Sequence, residues 1–205
     1  MIEFFIDTST SLSTIALLKD KKVINKKKIQ SNNDLSNNLF MHIAKLFEEA
    51  SIKPSEVTRI YASYGPGSFT GIRIGLTVAK VYAYALNIKI VPISSLQILA
   101  SSLSDKQVIP IIDARRGYVY AGGYDENLNC FMDDTYIDIN LLREKYPNAQ
   151  YITPDIFDFD TIKPDIDVEK IVSLCDNREF EPHLVNPNYL KITEAEENLK
   201  NVRNS

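Results

Sequence analysis

One arrangement of residues occurs twice in this chain, and it restricts the fold more than any other feature. Residues 4–18 read FFIDTSTSLSTIALL and residues 110–124 read PIIDARRGYVYAGGY. Each is an apolar strand ending in Asp, then small or polar residues, then a second strand. Asp7 and Asp113 hold equivalent places. A pattern that restarts in this way predicts two related halves, each opening on an antiparallel hairpin. At 205 residues and 44% hydrophobic composition, the chain has enough apolar material for two small units. The expected boundary follows residue 104, within SLSDKQ (102–107), giving units 1–104 and 105–205, the second smaller.

Between the two copies the periodicity predicts a third strand over 21–29, a helix over 35–50 and a strand over 58–64. A longer helix follows over 71–86, then a strand over 88–91 and a short helix over 94–103. SNND (31–34) supplies N-cap residues for the helix at 35. After the second hairpin a strand is expected within 127–134, a helix over 139–146 and a strand over 168–174. Mixed strands alternating with helices place the chain in the α/β class, with a mixed sheet in each half. KDKKVINKKK (19–28) is the one basic cluster and reads as a solvated hairpin face. A net charge of −4 disfavours stand-alone nucleic-acid binding. Cys130 and Cys175, read as small buried apolar side chains, lack metal-ligand spacing and fit a reducing compartment. No apolar run reaches the ~18 residues of a membrane span. The N-terminus, with Glu3 and Asp7 in its apolar run, does not resemble a signal peptide. The expected location is cytoplasmic.

The loop GPGSFTG (65–71) holds three glycines and opens straight into the helix 71–86. Gly65, Gly67 and Gly71 bracket Ser68 and Thr70, and such a turn suits either phosphate contact or a purely structural bend. Its spacing is neither GxxxxGK[ST] nor GxGxxG. Asp7 and Asp113 could hold magnesium through water beside it, the arrangement of an autonomous ATPase or phosphotransferase, or could simply cap turns. On the helix, Ile74, Val78, Val81 and Ala85 share one face, and Gly71, Gly75, Ala79 and Ala83 the next. The apolar or small arc spans roughly 220°, against about 100° for an ordinary surface helix. The row of small residues suggests close approach of a second helix. Leu35, Leu39, Ile72, Gly75, Leu76 and Ala79 are therefore the predicted partner-interface residues. The alternative is a fully internal helix.

Four motifs, DTSTSLSTIAL (7–17), GPGSFTGIRIG (65–75), DARRGYVYAG (113–122) and PNYLKITEAE (187–196), resemble the TsaB family. They occur in order over nearly the whole chain. The resemblance implies an actin-like/Hsp70-like ATPase fold built from two ribonuclease H-like halves. It implies a non-catalytic scaffold subunit in bacterial synthesis of tRNA threonylcarbamoyladenosine (t6A). Such a subunit acts with the catalytic paralogue TsaD and the ATPase TsaE. Together they place a threonylcarbamoyl group on adenosine 37 of tRNAs reading codons that begin with A. The family pairs with TsaD through helices of its first half and forms homodimers when alone, meeting tRNA only within the complex. No cofactor or metal is expected. PISSLQILA (92–100), where the catalytic paralogue carries its paired histidines, has no His, Asp, Glu or Cys. His42 and His183 are read as structural or exposed. The chain departs from the family in lacking a histidine in DLSNN (34–38) and in having Lys191 where arginine is usual, which keeps the charge but loses the bidentate fork.

Overall fold

A computed structural model describes residues 1–30, 35–103, 106–175 and 178–191; the side chains of residues 35–37 fall outside that description. The N-cap stretch SNND, the residues at the expected boundary and the end of the PNYLKITEAE motif also lie outside the described residues.

The strands β1 (Ile2–Asp7), β2 (Leu12–Lys19) and β3 (Lys22–Gln30) form an antiparallel meander. Helix α1 (Leu35–Ala50) then leads to β4 (Val57–Gly65), which lies parallel to β1 on its free side. Helix α2 (Phe69–Leu86) leads on to β5 (Ile90–Ser94), parallel to β4. The sheet order is β3-β2-β1-β4-β5. Helix α3 (Ser95–Ala100) follows, and the plan begins again. Strands β6 (Val108–Asp113), β7 (Tyr118–Tyr124) and β8 (Cys130–Asp138) make the second meander. Helix α4 (Ile139–Lys145) leads to β9 (Gln150–Ile152), parallel to β6, and the second sheet runs β8-β7-β6-β9. The equivalence of the hairpins extends to single hydrogen bonds. The Ser9 N–H donates to Asp7 Oδ1 at 2.9 Å, and the Arg115 N–H to Asp113 Oδ1 at 2.8 Å. Each aspartate closes the turn two residues ahead of it.

The first sheet is covered on both faces, and strand alternation assigns the residues. Phe4, Ile6 and Leu17 point to the layer of α1 and α2, where Leu46, Leu76 and Ala79 meet them. Phe5, Ala16 and Tyr61 point the other way, onto α3 and the second sheet through Leu96, Leu99 and Ile112. The far face of the second sheet has its own small core around Ile111, Val119 and Leu142.

Several elements differ from the sequence expectation. VEKIVSL is not a strand but helix α5 (Val168–Leu174). Asp167 caps it by accepting from the Lys170 N–H at 2.9 Å, and Val168, Ile171 and Val172 form its buried stripe. Strand β5 starts later than expected because Asn87 and Ile88 end α2. Asn87 takes a left-handed conformation (φ 53°) and the Ile88 N–H returns to the Ala83 carbonyl at 2.9 Å. Strand β9 was not anticipated. The lysines of β3 are paired rather than simply solvated: Lys22 with Glu169 (2.8 Å), Lys27 with Glu49 (2.6 Å) and Lys28 with Asp165 (2.7 Å). Glu169 also accepts the Val23 N–H, which blunts the exposed edge of that strand. Cys175 is buried as expected, but Cys130 is exposed.

Candidate functional site

The glycine loop is occupied by the chain's own first hairpin. Gly67, Gly71 and Gly75 face the turn that follows β1. A Cβ on Gly67 would collide with the Ser9 carbonyl, one on Gly71 with the Thr8 carbonyl, and one on Gly75 with Thr8 Oγ1. Two of the loop's amides have partners here. The Ser68 N–H donates to the Ser9 carbonyl at 2.7 Å, and the Gly71 N–H to Ser68 Oγ at 3.1 Å. Thr8 Oγ1 donates to the Gly71 carbonyl at 2.7 Å. The absent side chains let a β-turn seat directly against the start of α2. Of the two readings left open by the sequence, the structural bend accounts for these amides.

Beside this clamp lies a cleft of about 680 Å³ between the two sheets. Its walls bring together Ser68 and Thr70 from the loop, Asp113 and Arg115 from the second hairpin, and Tyr120 and Lys191. Gly67 and Gly71 also line it. Gly65 does not; it abuts the Asn188 carbonyl, where a Cβ would sit 2.9 Å away. Asp7 lies beneath the cleft at 1% exposure. Burial raises its carboxyl above the ordinary range, while the Ser9 and Ser63 hydroxyls and the Ser9 amide hold it down. Asp113 is tied to Arg115, with 3.1 Å between carboxylate and guanidinium. The Asp113 N–H donates to Asp155 at 2.8 Å, a cleft residue that the sequence did not single out because β9, just before it, was not recognised. Among the described residues no group of three or more His, Cys, Asp or Glu is placed to hold a metal ion. The two strand-end aspartates act as turn caps, and His42 and His183 do not line the cleft.

Five of the six predicted interface residues are interior. Leu39 and Ala79 are fully buried, Ile72 and Leu76 nearly so, and Gly75 is covered by Thr8. The row of small residues thus corrects to an internal seam: Gly71 and Gly75 face the hairpin, and Ala79 and Ala83 lie in the core cluster with Phe4 and Ile60. Leu35 starts α1, and its side chain is outside the described part. The outward apolar surface of these helices is elsewhere. Phe40 (63%) and Met41 (57%) stand out from α1, and Val81 (64%) and Tyr84 (83%) from α2. Phe47 and Tyr82 join the two helices beneath, ring centroids 6.1 Å apart. Val81 was legible from the helical period; Tyr84 was not among the residues that the period singled out.

The C-terminal motif fastens to the same helix. The Tyr189 hydroxyl accepts from Arg73 Nε at 2.8 Å, its ring lies 5.4 Å from Phe69, and the Arg73 guanidinium stacks 3.8 Å over Phe69. Lys191 reaches the ring of Tyr136 at 5.5 Å.

Residues 27–154 match the family model described as "TsaD: tRNA N6-adenosine threonylcarbamoyltransferase". Over 139 residues the chain is 36% identical to the tRNA threonylcarbamoyladenosine biosynthesis protein TsaB of Bacillus subtilis. The chain belongs to the TsaB branch of this family. That match covers 67% of this chain and 60% of the Bacillus protein. The TsaB of Buchnera aphidicola subsp. Schizaphis graminum is 32% identical, over 68% of this chain and 70% of its own length. Two solved structures from Pseudomonas aeruginosa establish the fold. One is described as an uncharacterized protein with similarity to peptidase YEAZ, with a TM-score of 0.78 at 23% identity over 93% of this chain and 99% of that one. The other, YeaZ, gives 0.76 at 23% identity over 92% and 99%. The fold of these two structures is therefore present here with both of its sheets, in the α/β class.

Proposed function

We propose that this chain is the non-catalytic scaffold subunit that supports transfer of threonylcarbamoyl onto adenosine 37 of tRNAs reading A-starting codons, together with TsaD-like and TsaE-like partners. The observation that carries the reading is the exposed apolar surface of α1 and α2. Phe40, Met41, Val81 and Tyr84 lie above a complete core, so the fold does not need them on the outside. Large side chains in such numbers on two helices are costly to leave in water and suit a protein partner. The partner surface accordingly moves from the buried seam to the outward faces of the same helices. Membership of the TsaB branch supplies the chemistry of the pathway, and the turn bonds of Asp7 and Asp113 favour a supporting role over turnover by this chain. The same surface serves a homodimer when the chain is alone, and tRNA is met only through the complex. The two units divide at residue 104, and the protein works in the cytoplasm. Analytical gel filtration with a TsaD-like subunit tests this. A stable heterodimer is expected at micromolar concentration. Val81→Asp with Tyr84→Lys should abolish it while leaving the melting temperature within a degree or two, since exposed substitutions typically change stability by less than about 0.5 kcal/mol. Partners that elute separately, or an unaffected complex with the double variant, would refute the assignment.

A further inference from the structure

The first half of α2 carries an arginine that is held in place yet left open. The Arg73 guanidinium lies 3.8 Å over the Phe69 ring and 5.8 Å from the Tyr189 ring. Its Nε donates to the Tyr189 hydroxyl at 2.8 Å. Tyr189 is itself fixed, because the Asn188 N–H beside it donates to the Tyr64 carbonyl at 2.7 Å. These contacts use the flat face of the guanidinium and its Nε. Nη1 and Nη2 have no hydrogen-bond or ion-pair partner among the described residues. A guanidinium fixed in this way has already given up much of its side-chain freedom, so less is lost when its fork meets an anion.

Arg73 also shares a face with the surface assigned to the partner. At about 100° per residue, Arg73, Thr77, Val81 and Tyr84 fall within about 80° of one another, and all four are exposed. The stripe is about 16 Å long at about 1.5 Å per residue. Val81 and Tyr84 form its apolar end and Arg73 its charged end. No Asp or Glu occurs between Phe69 and Leu86, and the other charged residue of the helix, Lys80, is a second cation. An α2 from a second copy would therefore bring more positive charge and no carboxylate. The chain's net charge of −4 disfavours a nucleic-acid backbone as the counterpart. We propose that Arg73 is the charged anchor of the docking face, and that the TsaD-like subunit meets it with an Asp or Glu carboxylate in a two-pronged ion pair. This rests on the reading of α1 and α2 as the partner surface and adds the chemistry at one end of it. A charge pair at the rim of an apolar patch speeds encounter and fixes register.

The test is the association kinetics of the full chain with the TsaD-like subunit at about 0.05 M and about 0.5 M salt. The parent pair is expected to associate about tenfold faster at the lower salt. Arg73→Gln should weaken the pair about tenfold at low salt, chiefly through slower association, and approach the parent at high salt. Arg73→Lys keeps the charge and loses the fork, so it should restore the association rate and still dissociate faster than the parent. If Arg73 served only to clamp Tyr189, Arg73→Gln would weaken the pair equally at both salts, and that result overturns the proposal. So does an Arg73→Gln pair with the parent's affinity and salt dependence, or an equal loss in self-association of the chain alone. An intact Arg73→Gln pair that instead loses tRNA would assign the fork to phosphate and overturn it too. A parent chain that forms no pair at either salt refutes the helix surface itself, and this inference with it. The two failures are thus told apart by the parent chain.

Discussion

Gly75→Ala tests whether the small-residue row of α2 is an internal seam. In an ordinary helix this change stabilises by about 1 kcal/mol, because alanine loses less backbone freedom. Here the new methyl would occupy the place of Thr8 Oγ1, and the Thr8 Cβ lies 3.3 Å beyond it. Thr8 is fully buried and its hydroxyl donates to the Gly71 carbonyl. Forcing it aside overpacks the seam, at about 1–3 kcal/mol. It also leaves a buried hydroxyl and carbonyl unmatched, at about 1–3 kcal/mol more. After the propensity gain, a net loss of about 1–5 kcal/mol is expected. For a chain of this size that corresponds to a melting temperature lower by about 2–20 °C. Urea unfolding followed by far-ultraviolet circular dichroism measures it. Thr8→Ala should rescue, because removing the hydroxyl frees the space, so the double variant should be more stable than the sum of single losses by about 1–2 kcal/mol. Gly75→Ala as stable as the parent, with an unchanged denaturant slope, would show that Thr8 does not hold this position and would return the row to a surface role.

Three further outcomes follow from the hydrogen bonds and charges. Asp7 is raised by burial, so between the unfolded carboxyl value and its folded value the folded chain holds more protons and stability falls as pH rises through that window. Asp7→Asn should remove that slope in melting curves taken from acid to neutral pH, with no loss of stability at pH 7; a slope that persists would assign it to another group. The Tyr82 hydroxyl donates to the Pro54 carbonyl at 2.6 Å, so Tyr82→Phe should lower unfolding free energy by about 1 kcal/mol, and no change would mean water replaces the phenol. Glu169→Gln should weaken the cover on β3, with an effect that fades in high salt; a loss unaffected by salt would point to the Val23 amide bond rather than the Lys22 pair.

The double hairpin was legible because Asp7 and Asp113 each end an apolar run, and the structure repeats their turn bonds. Most of the first sheet and its helices follow from period and capping residues alone. VEKIVSL was misread because seven residues rich in Val and Ile suit a strand or a buried helical stripe equally. The deciding signal, Asp167 ahead of Val168, Ile171 and Val172, is present but short. The glycine row failed for a different reason. Gly71, Gly75, Ala79 and Ala83 state only that something approaches closely. Whether that is another subunit, an anion or a hairpin some 63 residues earlier is a long-range matter.

The start of β5's outer edge is bridged by a late piece of chain. The Ile90 and Phe180 backbones exchange hydrogen bonds at 3.0 and 2.8 Å. During synthesis, therefore, every strand of the first sheet leaves the ribosome well before the residue that seals its border. For the time needed to add about ninety more residues, at 5–20 per second, the nascent protein presents an open ladder to its neighbours. Chaperone engagement should concentrate in that interval and end once Phe180 emerges.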